Sequence, residues 1–352
     1  HPLQTKYCRK HMENITFGVV DQSPIRKGGT VQQALKETVQ LAQIAEQSGY
    51  QRYWVAEHHN SGGYAGTSPE ILIGQIASQT NSIKVGSGGV MLSHYSSLKV
   101  AENFSILNSF YPKRIELGIG RAPGSDQLTA HALAYPKQIV NIEHFPQQVT
   151  DVIGYMSGTI PEEHVFSKIS SQPGPAPDAI PGIWLLGSSD YSARLAATLG
   201  LPFSFADFFG TTAEHGPLVA KLYRDMFQPS GYLQEPKINV ALQVICADTE
   251  AKANFIALSR NISRINSLRG IREPLVSPEE ASSIKLNYIE EQHIERINKH
   301  SIIGTPDMVK TKIVEAMKTY ETSDVSVVTN CYYFEDRVKS FQLIAEVFDL
   351  NK

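Results

Sequence analysis

The chain has 352 residues, of which 41% are hydrophobic and 19% charged, and its formal net charge is −3. This balance, without a long basic run, gives no support for binding to nucleic acid or to a membrane surface. The three cysteines are widely spaced, which is typical of a reducing compartment, and no apolar run approaches the ~20 residues needed to cross a bilayer. We therefore expect a cytoplasmic enzyme that acts on a small molecule.

The polar residues 1–11 precede Met12, and we interpret them as an added tag or a disordered arm. From Ile15 onward, short apolar strands alternate with amphipathic helices. The predicted strands are 15–20, 53–56, 83–90, 114–119, 183–186, 202–206, 238–246 and 325–328. This alternation predicts an α/β protein whose residues 12–352 form one (β/α)8 TIM barrel with insertions.

Two stretches interrupt the alternation of strands and helices. Residues 157–181 are rich in proline and serine and predict a surface excursion before the fifth strand. Residues 270–288 form a second break before the last strand. The second stretch is either a lid over an active site or a passive surface insertion.

Active sites of such barrels lie at the carboxyl ends of the strands, so the residues that follow each strand are the candidates. Glu57, His58 and His59 follow the second strand. Adjacent residues of a strand point to opposite faces, which disfavours chelation of one metal ion by both histidines. One histidine acting as an acid or base is the better interpretation, with His59 as a structural hydrogen-bonding residue.

Glycines follow the third strand and include Gly88 and Gly89, directly before Val90. Glycines inside an apolar strand indicate either close approach of a flat ligand to the backbone or a bulge or tight turn. After the fourth strand, Arg121 lies in a glycine-rich loop and suits either a phosphate or a surface salt bridge.

After the fifth strand, the chain turns through Gly187 directly into a helix whose first turn carries Ser188, Ser189 and Ser192. Free N–H groups at a helix start and several hydroxyl groups favour an anion. An ordinary serine cap accounts for only one of those hydroxyl groups. A phosphate-binding turn, a cation and a glycine-lined slot together suit FMN, whereas no dinucleotide fingerprint is present.

The sequence resembles the bacterial-luciferase-like flavin monooxygenases. Four segments carry the resemblance, in the same order as in that family: 54–59, 85–92, 113–121 and 187–192. The tail 303–307 resembles the family as well. It implies a homodimeric barrel that uses reduced FMN from a separate flavin reductase, with O2 and an organic small-molecule substrate.

The resemblance also implies roles for individual residues. His58 matches the family's catalytic histidine. Ser189 and Ser192 match the hydroxyl positions that hold the FMN phosphate, and Arg121 matches the arginine that pairs with it. The family's cis peptide, against which the flavin ring lies, falls at Gly88–Gly89. We expect no metal, and we expect these residues to contact the cofactor: Glu57, Gly88, Gly89, Val90, Arg121, Gly187, Ser188, Ser189 and Ser192.

One position departs from luciferase itself. A reactive cysteine follows the fourth strand there, and Gly120 stands at that place here. Light emission is therefore not implied, and the residues that bind a long-chain aldehyde have no clear match. Two alternatives stay open: a deazaflavin (F420)-dependent oxidoreductase and a flavin-binding protein without turnover.

Overall fold

The structure is a computed structural model that describes residues 15–121, 123–174 and 180–351. The predicted tag or arm, residues 1–11, lies outside the described residues, as do residues 175–179 of the predicted surface excursion. The rest of that excursion consists of turns with mostly exposed side chains.

The described residues form ten strands, and each apolar run buries nearly all of its side chains. In chain order they are β1 (Thr16–Asp21), β2 (Arg52–Val55), β3 (Lys84–Ser87), β4 (Val90–Met91), β5 (Ile115–Gly120), β6 (Gly182–Gly187), β7 (Phe203–Ala206), β8 (Ile238–Cys246), β9 (Ile302–Gly304) and β10 (Asp324–Val328). Burial of both faces accounts for their continuous apolar character.

Eight of these strands close into a parallel barrel in the order β1-β2-β3-β5-β6-β7-β8-β10. β10 completes the ring, because it pairs with β8 on one side and with β1 on the other. β4 extends β3 beyond Gly88–Gly89 and pairs with β5, and β9 pairs with the far end of β8. The predicted (β/α)8 barrel is therefore confirmed.

Twelve α-helices are described, and most of them surround the barrel. They are α1 (Val31–Gln47), α2 (Pro69–Ser78), α3 (Ser97–Phe110), α4 (Gln127–Ala134), α5 (Phe145–Ser157), α6 (Asp190–Leu199), α7 (Gly216–Met226), α8 (Glu250–Leu268), α9 (Pro278–Ser283), α10 (Tyr288–His300), α11 (Pro306–Tyr320) and α12 (Phe334–Val347). None of them combines the length and apolar character needed to cross a membrane.

The structure differs from the predicted elements in two respects. The predicted strand 83–90 is divided into β3 and β4 by Gly88–Gly89, because the backbone turns between them. Four elements were not predicted, since β9, α4 and α9 are short and α10 is mostly polar with only Glu290 and Ile297 buried. Tertiary packing and the capping box at Asn287 stabilise α10 where its apolar pattern is weak.

A buried ionic network fills the amino-terminal half of the barrel. The guanidinium of Arg52 donates to Glu116 at 2.9 Å and to Asp324 at 2.7 Å. Asn239 also donates to Asp324, at 2.6 Å, and Trp54 Nε1 donates to Glu116 at 2.8 Å. Above this layer, Trp54 packs with other apolar residues, so open space begins only at the carboxyl ends of the strands.

The segment 270–288 packs over that end of the barrel and contains α9, which Ser277 caps. Its Leu275 exchanges backbone hydrogen bonds of 2.8 Å with Ile25 and Lys27 of the β1–α1 connection. Arg272 forms an ion pair of 2.9 Å with Asp126. The segment is thus attached to the loops that follow β1 and β5.

Candidate functional site

A cavity opens at the carboxyl ends of the strands, and we call it the first cavity. It holds about 820 Å³ of empty space, its open mouth included. Seven of the ten predicted site residues line it: Gly88, Gly89, Arg121, Gly187, Ser188, Ser189 and Ser192.

One wall of the first cavity is bare backbone at Gly88 and Gly89, and the peptide bond between them is cis, as predicted. A Cβ at Gly89 would lie 2.7 Å from Leu186 Cδ1 and 2.8 Å from the carbonyl oxygen of Gly118. No side chain therefore fits at Gly89 without a shift, and a flat ligand can approach this backbone closely.

Another part of the wall is the start of α6. Ser189 is the N-cap residue with an extended backbone, yet its side chain makes no capping hydrogen bond. The first N–H groups of a helix have no acceptor within the helix, and the helix dipole places partial positive charge there. Gly187 permits α6 to lie close to β6, because a Cβ at Gly187 would be 2.5 Å from Ser192 Cβ.

Arg121 brings a cation to the same place from the end of β5. Its guanidinium carbon lies 4.0 Å from the ring centroid of Tyr191, in the first turn of α6. Arg121 forms no ion pair with any residue among 15–121, 123–174 and 180–351, so the predicted alternative of a surface salt bridge is not seen. The Arg121 guanidinium, the serine hydroxyl groups and the start of α6 together form a site that is suited to a phosphate.

Two predicted cofactor contacts are not supported by this geometry. Glu57 is not a wall residue, because its buried carboxylate contacts His59 Nε2 at 2.6 Å and accepts hydrogen bonds from the Met91 N–H at 2.9 Å and from the Tyr95 hydroxyl. The side chain of Val90 packs in the barrel's outer apolar core instead of facing the cavity. Met91, one residue later, lines the cavity in its place.

His58 does not line the first cavity. Its ring stacks on Tyr64 with centroids 4.6 Å apart, and its Nδ1 is buried without a hydrogen-bond partner among the described residues. Burial lowers the pKa of His58 to about 4, and the nearby Arg264 acts in the same direction. The imidazole is therefore neutral near pH 7 and can accept a proton at a buried nitrogen.

Sequence reasoning missed several wall residues. Phe208 and Phe209 follow β7 and line the first cavity, although the rule about strand ends would have found them. Gly120, another wall residue, was noted only because luciferase has a reactive cysteine at that position. A Cβ at Gly120 would lie 2.6 Å from Met91 Cε, so the methionine occupies the space that a side chain would need.

A second cavity lies under the segment 270–288, with about 580 Å³ of empty space, its opening included. Tyr64, which stacks on His58, is part of its wall, as are Arg260 and Arg264 of α8. Within the part of the chain that the structure describes, no group of three or more acidic, histidine or cysteine side chains could hold a metal ion.

A (β/α)8 barrel with an open cavity at the carboxyl ends of its strands is the architecture of an enzyme with a small-molecule site. The chain belongs to the luciferase-like monooxygenase family, whose model matches residues 15–323. The predicted resemblance is thereby confirmed.

Individual members of the family resemble this chain along nearly its whole length. The N-acetyl-S-alkylcysteine monooxygenase of Bacillus subtilis is 36% identical over 337 residues, which cover 94% of this chain and 98% of that protein. A luciferase-like monooxygenase of Escherichia coli K12 is 35% identical over 335 residues, covering 95% and 97%. The structure of apo-MsnO8 is 32% identical, with a TM-score of 0.86 and coverage of 96% and 99%.

Two more distant structures share the fold. One is the oxygenating constituent of 3,6-diketocamphane monooxygenase from Pseudomonas putida in complex with FMN, with 18% identity, a TM-score of 0.68 and coverage of 95% and 98%. The other is an F420-dependent secondary alcohol dehydrogenase with an F420-acetone adduct, with 12% identity, a TM-score of 0.67 and coverage of 95% and 99%.

Proposed function

We propose that this protein is the oxygenase of a two-component flavin monooxygenase, which uses reduced FMN and O2 to oxygenate an organic small molecule. The observation that carries the proposal is one cavity whose two ends suit the two parts of FMN, its planar ring and its phosphate. One end is the bare Gly88–Gly89 backbone, and the other is the start of α6 with Ser189, Ser192 and Arg121. A planar ring and a phosphate on one molecule fit these two ends.

The phosphate end supports FMN through three independent donors. The Ser189 hydroxyl makes no capping bond, the first-turn N–H groups of α6 lack intrahelical acceptors, and Arg121 forms no ion pair among the described residues. Donors held in place by a strand end and a helix need little reorganisation to bind an anion. Riboflavin, which lacks the phosphate, would leave all of them unused.

The ring end is apolar and closed by large side chains. Trp54, Leu186 and Phe208 line it together with the glycine backbone, and they exclude water from the reacting atoms. Bound reduced flavin supplies the electrons that activate O2. Neutral His58, whose Nδ1 has no hydrogen-bond partner among the described residues, is proposed to accept and return a proton beside this end.

An anaerobic titration of the purified chain with oxidised and then reduced FMN tests this proposal directly. We expect reduced FMN to bind, and we expect O2 uptake to depend on it when air is admitted. A protein that bound F420 and neither form of FMN would be the deazaflavin enzyme instead. Flavin binding without O2 uptake would leave only a flavin-binding protein.

Arg121→Met tests the phosphate end separately. Charge-assisted hydrogen bonds are worth about 1.5–3 kcal/mol, so we expect FMN affinity to fall by about tenfold or more. Riboflavin affinity should change little. Arg296→Met is the matched control, because Arg296 is exposed and paired with Glu214 away from both cavities. Equal losses for FMN and riboflavin would remove Arg121 from the phosphate site.

Turnover requires a source of reduced flavin and a substrate. Because no dinucleotide fingerprint is present, we propose that a separate flavin reductase supplies the reduced FMN. N-acetyl-S-alkylcysteines are the first substrates to test, since a relative 36% identical to this chain is named for them. Loss of turnover in His58→Ala with FMN affinity retained would support the proton-transfer role, and full activity would refute it.

Two further parts of the proposal concern assembly and access. Ile71 on α2 and Phe110 on α3 are 70% and 73% exposed, which suits a homodimer interface along these helices. The segment 270–288 is proposed to act as a lid, because its attachments to the β1 and β5 loops are a few hydrogen bonds and two ion pairs, Arg272–Asp126 and Lys27–Glu280. Light scattering of the wild-type chain and of Phe110→Glu tests the dimer.

A further inference from the structure

The second cavity contains two arginines of α8 without carboxylate partners. Arg260 is 2% exposed, and among the described residues it donates only to the neutral Ser301 and Asn298 side chains, at 2.8 Å each. Arg264 donates to the backbone carbonyl of Phe208 at 3.1 Å. Neither arginine forms an ion pair with any residue that the structure describes.

Uncompensated guanidinium groups are costly in a partly closed site, because burial removes their hydration. Burial lowers the pKa of Arg260 to about 9, and the like charge of Arg264 adds to the effect. The wall contains one carboxylate, Glu273, which is exposed at the rim and pairs with no described residue. The interior of the cavity is therefore positively charged.

Unsatisfied polar atoms face the same region. Arg260 Nε and Asn330 Oδ1 belong to wall residues, and both atoms are buried without a hydrogen-bond partner among the described residues. Asn330 is held by its other amide atom, which donates to Gln22 at 2.7 Å. Buried polar atoms in native proteins nearly always have partners, so their concentration at one cavity points to a missing ligand.

A wall residue of the second cavity, Arg264, contacts two wall residues of the first. Arg264 contacts the carbonyl of Phe208, and its guanidinium carbon lies 5.9 Å from the ring centroid of Phe209. Phe208 and Phe209 line the first cavity, and Tyr64 of the second cavity stacks on His58. A molecule held at Arg264 is thus adjacent to the ring end and to the proposed proton acceptor.

We propose that the second cavity binds the organic substrate by a carboxylate group, with Arg264 as the residue that pairs with it. Arginine presents two parallel N–H donors that match the two oxygens of a carboxylate. Asn330 Oδ1 can in addition accept an N–H or O–H group of the same molecule. The substrate role rests on the proposed monooxygenase function, whereas the anion site itself does not.

Calorimetric titration with matched acids and neutral primary amides tests the proposal on the full chain, with and without bound FMN. The probes are phenylacetate, hexanoate and N-acetyl-S-methylcysteine, each compared with its amide. We expect at least one acid to bind about tenfold or more tightly than its amide, with a preference that weakens as salt is added. If no acid binds more tightly than its amide, the proposal is overturned.

Arg264→Met and Arg264→Lys assign the preference to this residue. We expect the methionine variant to bind acid and amide alike, and we expect lysine to retain part of the preference. Arg296→Met should behave as the wild type. Circular dichroism verifies folding, and if Arg264→Met does not fold, the lysine variant and the wild-type comparison still decide the question.

FMN titration of the same variants distinguishes this proposal from the proposed function. FMN affinity should stay within about twofold in Arg264→Met, since Arg264 is not at the phosphate end. If that variant lost FMN binding and kept its preference for acids, Arg264 would belong to the cofactor site and the proposal would be wrong. If the wild type bound acids at Arg264 but no flavin, the anion site would stand and the monooxygenase function would fail.

Discussion

The carboxylate of Glu57 at the end of β2 accepts a hydrogen bond of 2.9 Å from the backbone N–H of Met91 in β4. The same carboxylate contacts His59 and the hydroxyl group of Tyr95. It thereby attaches the short strand beyond Gly88–Gly89 to the barrel. Met91 lines the first cavity, so a buried carboxylate outside the cavity determines the shape of its wall.

Glu57→Gln tests this relationship. An amide keeps the size of the side chain but places an NH2 group where the Met91 N–H or the Tyr95 hydroxyl needs an acceptor. We expect FMN affinity to fall by about three- to tenfold, as measured by fluorescence titration. This is less than the full effect of a charge-assisted hydrogen bond, because the lost bond positions the wall at Met91 and does not contact FMN itself. Glu102→Gln, whose half-buried side chain on α3 pairs with the exposed Lys99, is the control and should bind FMN normally. Unchanged affinity in Glu57→Gln would show that β4 is held by other contacts.

The sequence predicted the barrel and the turn from strand to helix at Gly187 because both depend on local pattern. Residues 238–246 read as a buried strand and form β8 with those bounds, and Gly187 and Ser189 mark a turn from strand to helix. Val90 stays a predicted cofactor contact, although its side chain packs in the apolar core and the neighbouring Met91 lines the first cavity. The backbone turn at Gly88–Gly89 decides which of two neighbouring side chains faces inward, and the sequence does not show that turn's direction.

Arg264 illustrates what local pattern cannot predict. It lies in α8, between buried residues of an amphipathic helix, with no glycine, histidine or strand end beside it. Only the fold brings it next to Phe208, 56 positions away in the chain. Its lack of a carboxylate partner is likewise a property of the packed structure, so no motif could have indicated a site there.

Gly187→Ala tests the close approach of α6 to β6. The new Cβ would be 2.5 Å from Ser192 Cβ, so the helix start must shift. Overpacking of this kind typically costs about 1–3 kcal/mol, and displacement of Ser189 and Ser192 should weaken FMN binding more than riboflavin binding. Gly231→Ala is the matched control, because nothing lies within 4 Å of a Cβ there. Normal stability and FMN affinity in Gly187→Ala would contradict the proposed phosphate end.

His58 gives a prediction about pH. Burial lowers its pKa from 6.5 to about 4 in the folded chain, whereas the unfolded chain binds the proton near pH 6.5. Between these values the unfolded state holds more protons, so the contribution of His58 to stability is present above about pH 6.5 and is lost as the pH falls toward 4. The loss is about 1.4 kcal/mol for each pH unit in that window.

Urea unfolding between pH 4 and 7 measures this slope. We expect His58→Asn to have a shallower slope than the wild type, and His131→Asn, with its exposed side chain on α4, to match the wild type. Nuclear magnetic resonance titration of the His58 ring should find no protonation near pH 6.5. Equal slopes in His58→Asn and the wild type would mean that His58 titrates as an ordinary histidine.

The ionic network inside the barrel predicts a large stability effect far from the site. Asp324→Asn removes the charge that receives two hydrogen bonds from Arg52, at 2.7 and 3.3 Å, and leaves that buried guanidinium with Glu116 alone. Removal of one partner of a buried pair typically costs about 3–5 kcal/mol, because the remaining charge is uncompensated. Glu214→Gln, which breaks the exposed pair with Arg296, should barely change the urea midpoint. If both variants unfolded at the same urea concentration, the network would be dispensable for stability, and the amino-terminal half of the barrel would depend on its apolar packing instead.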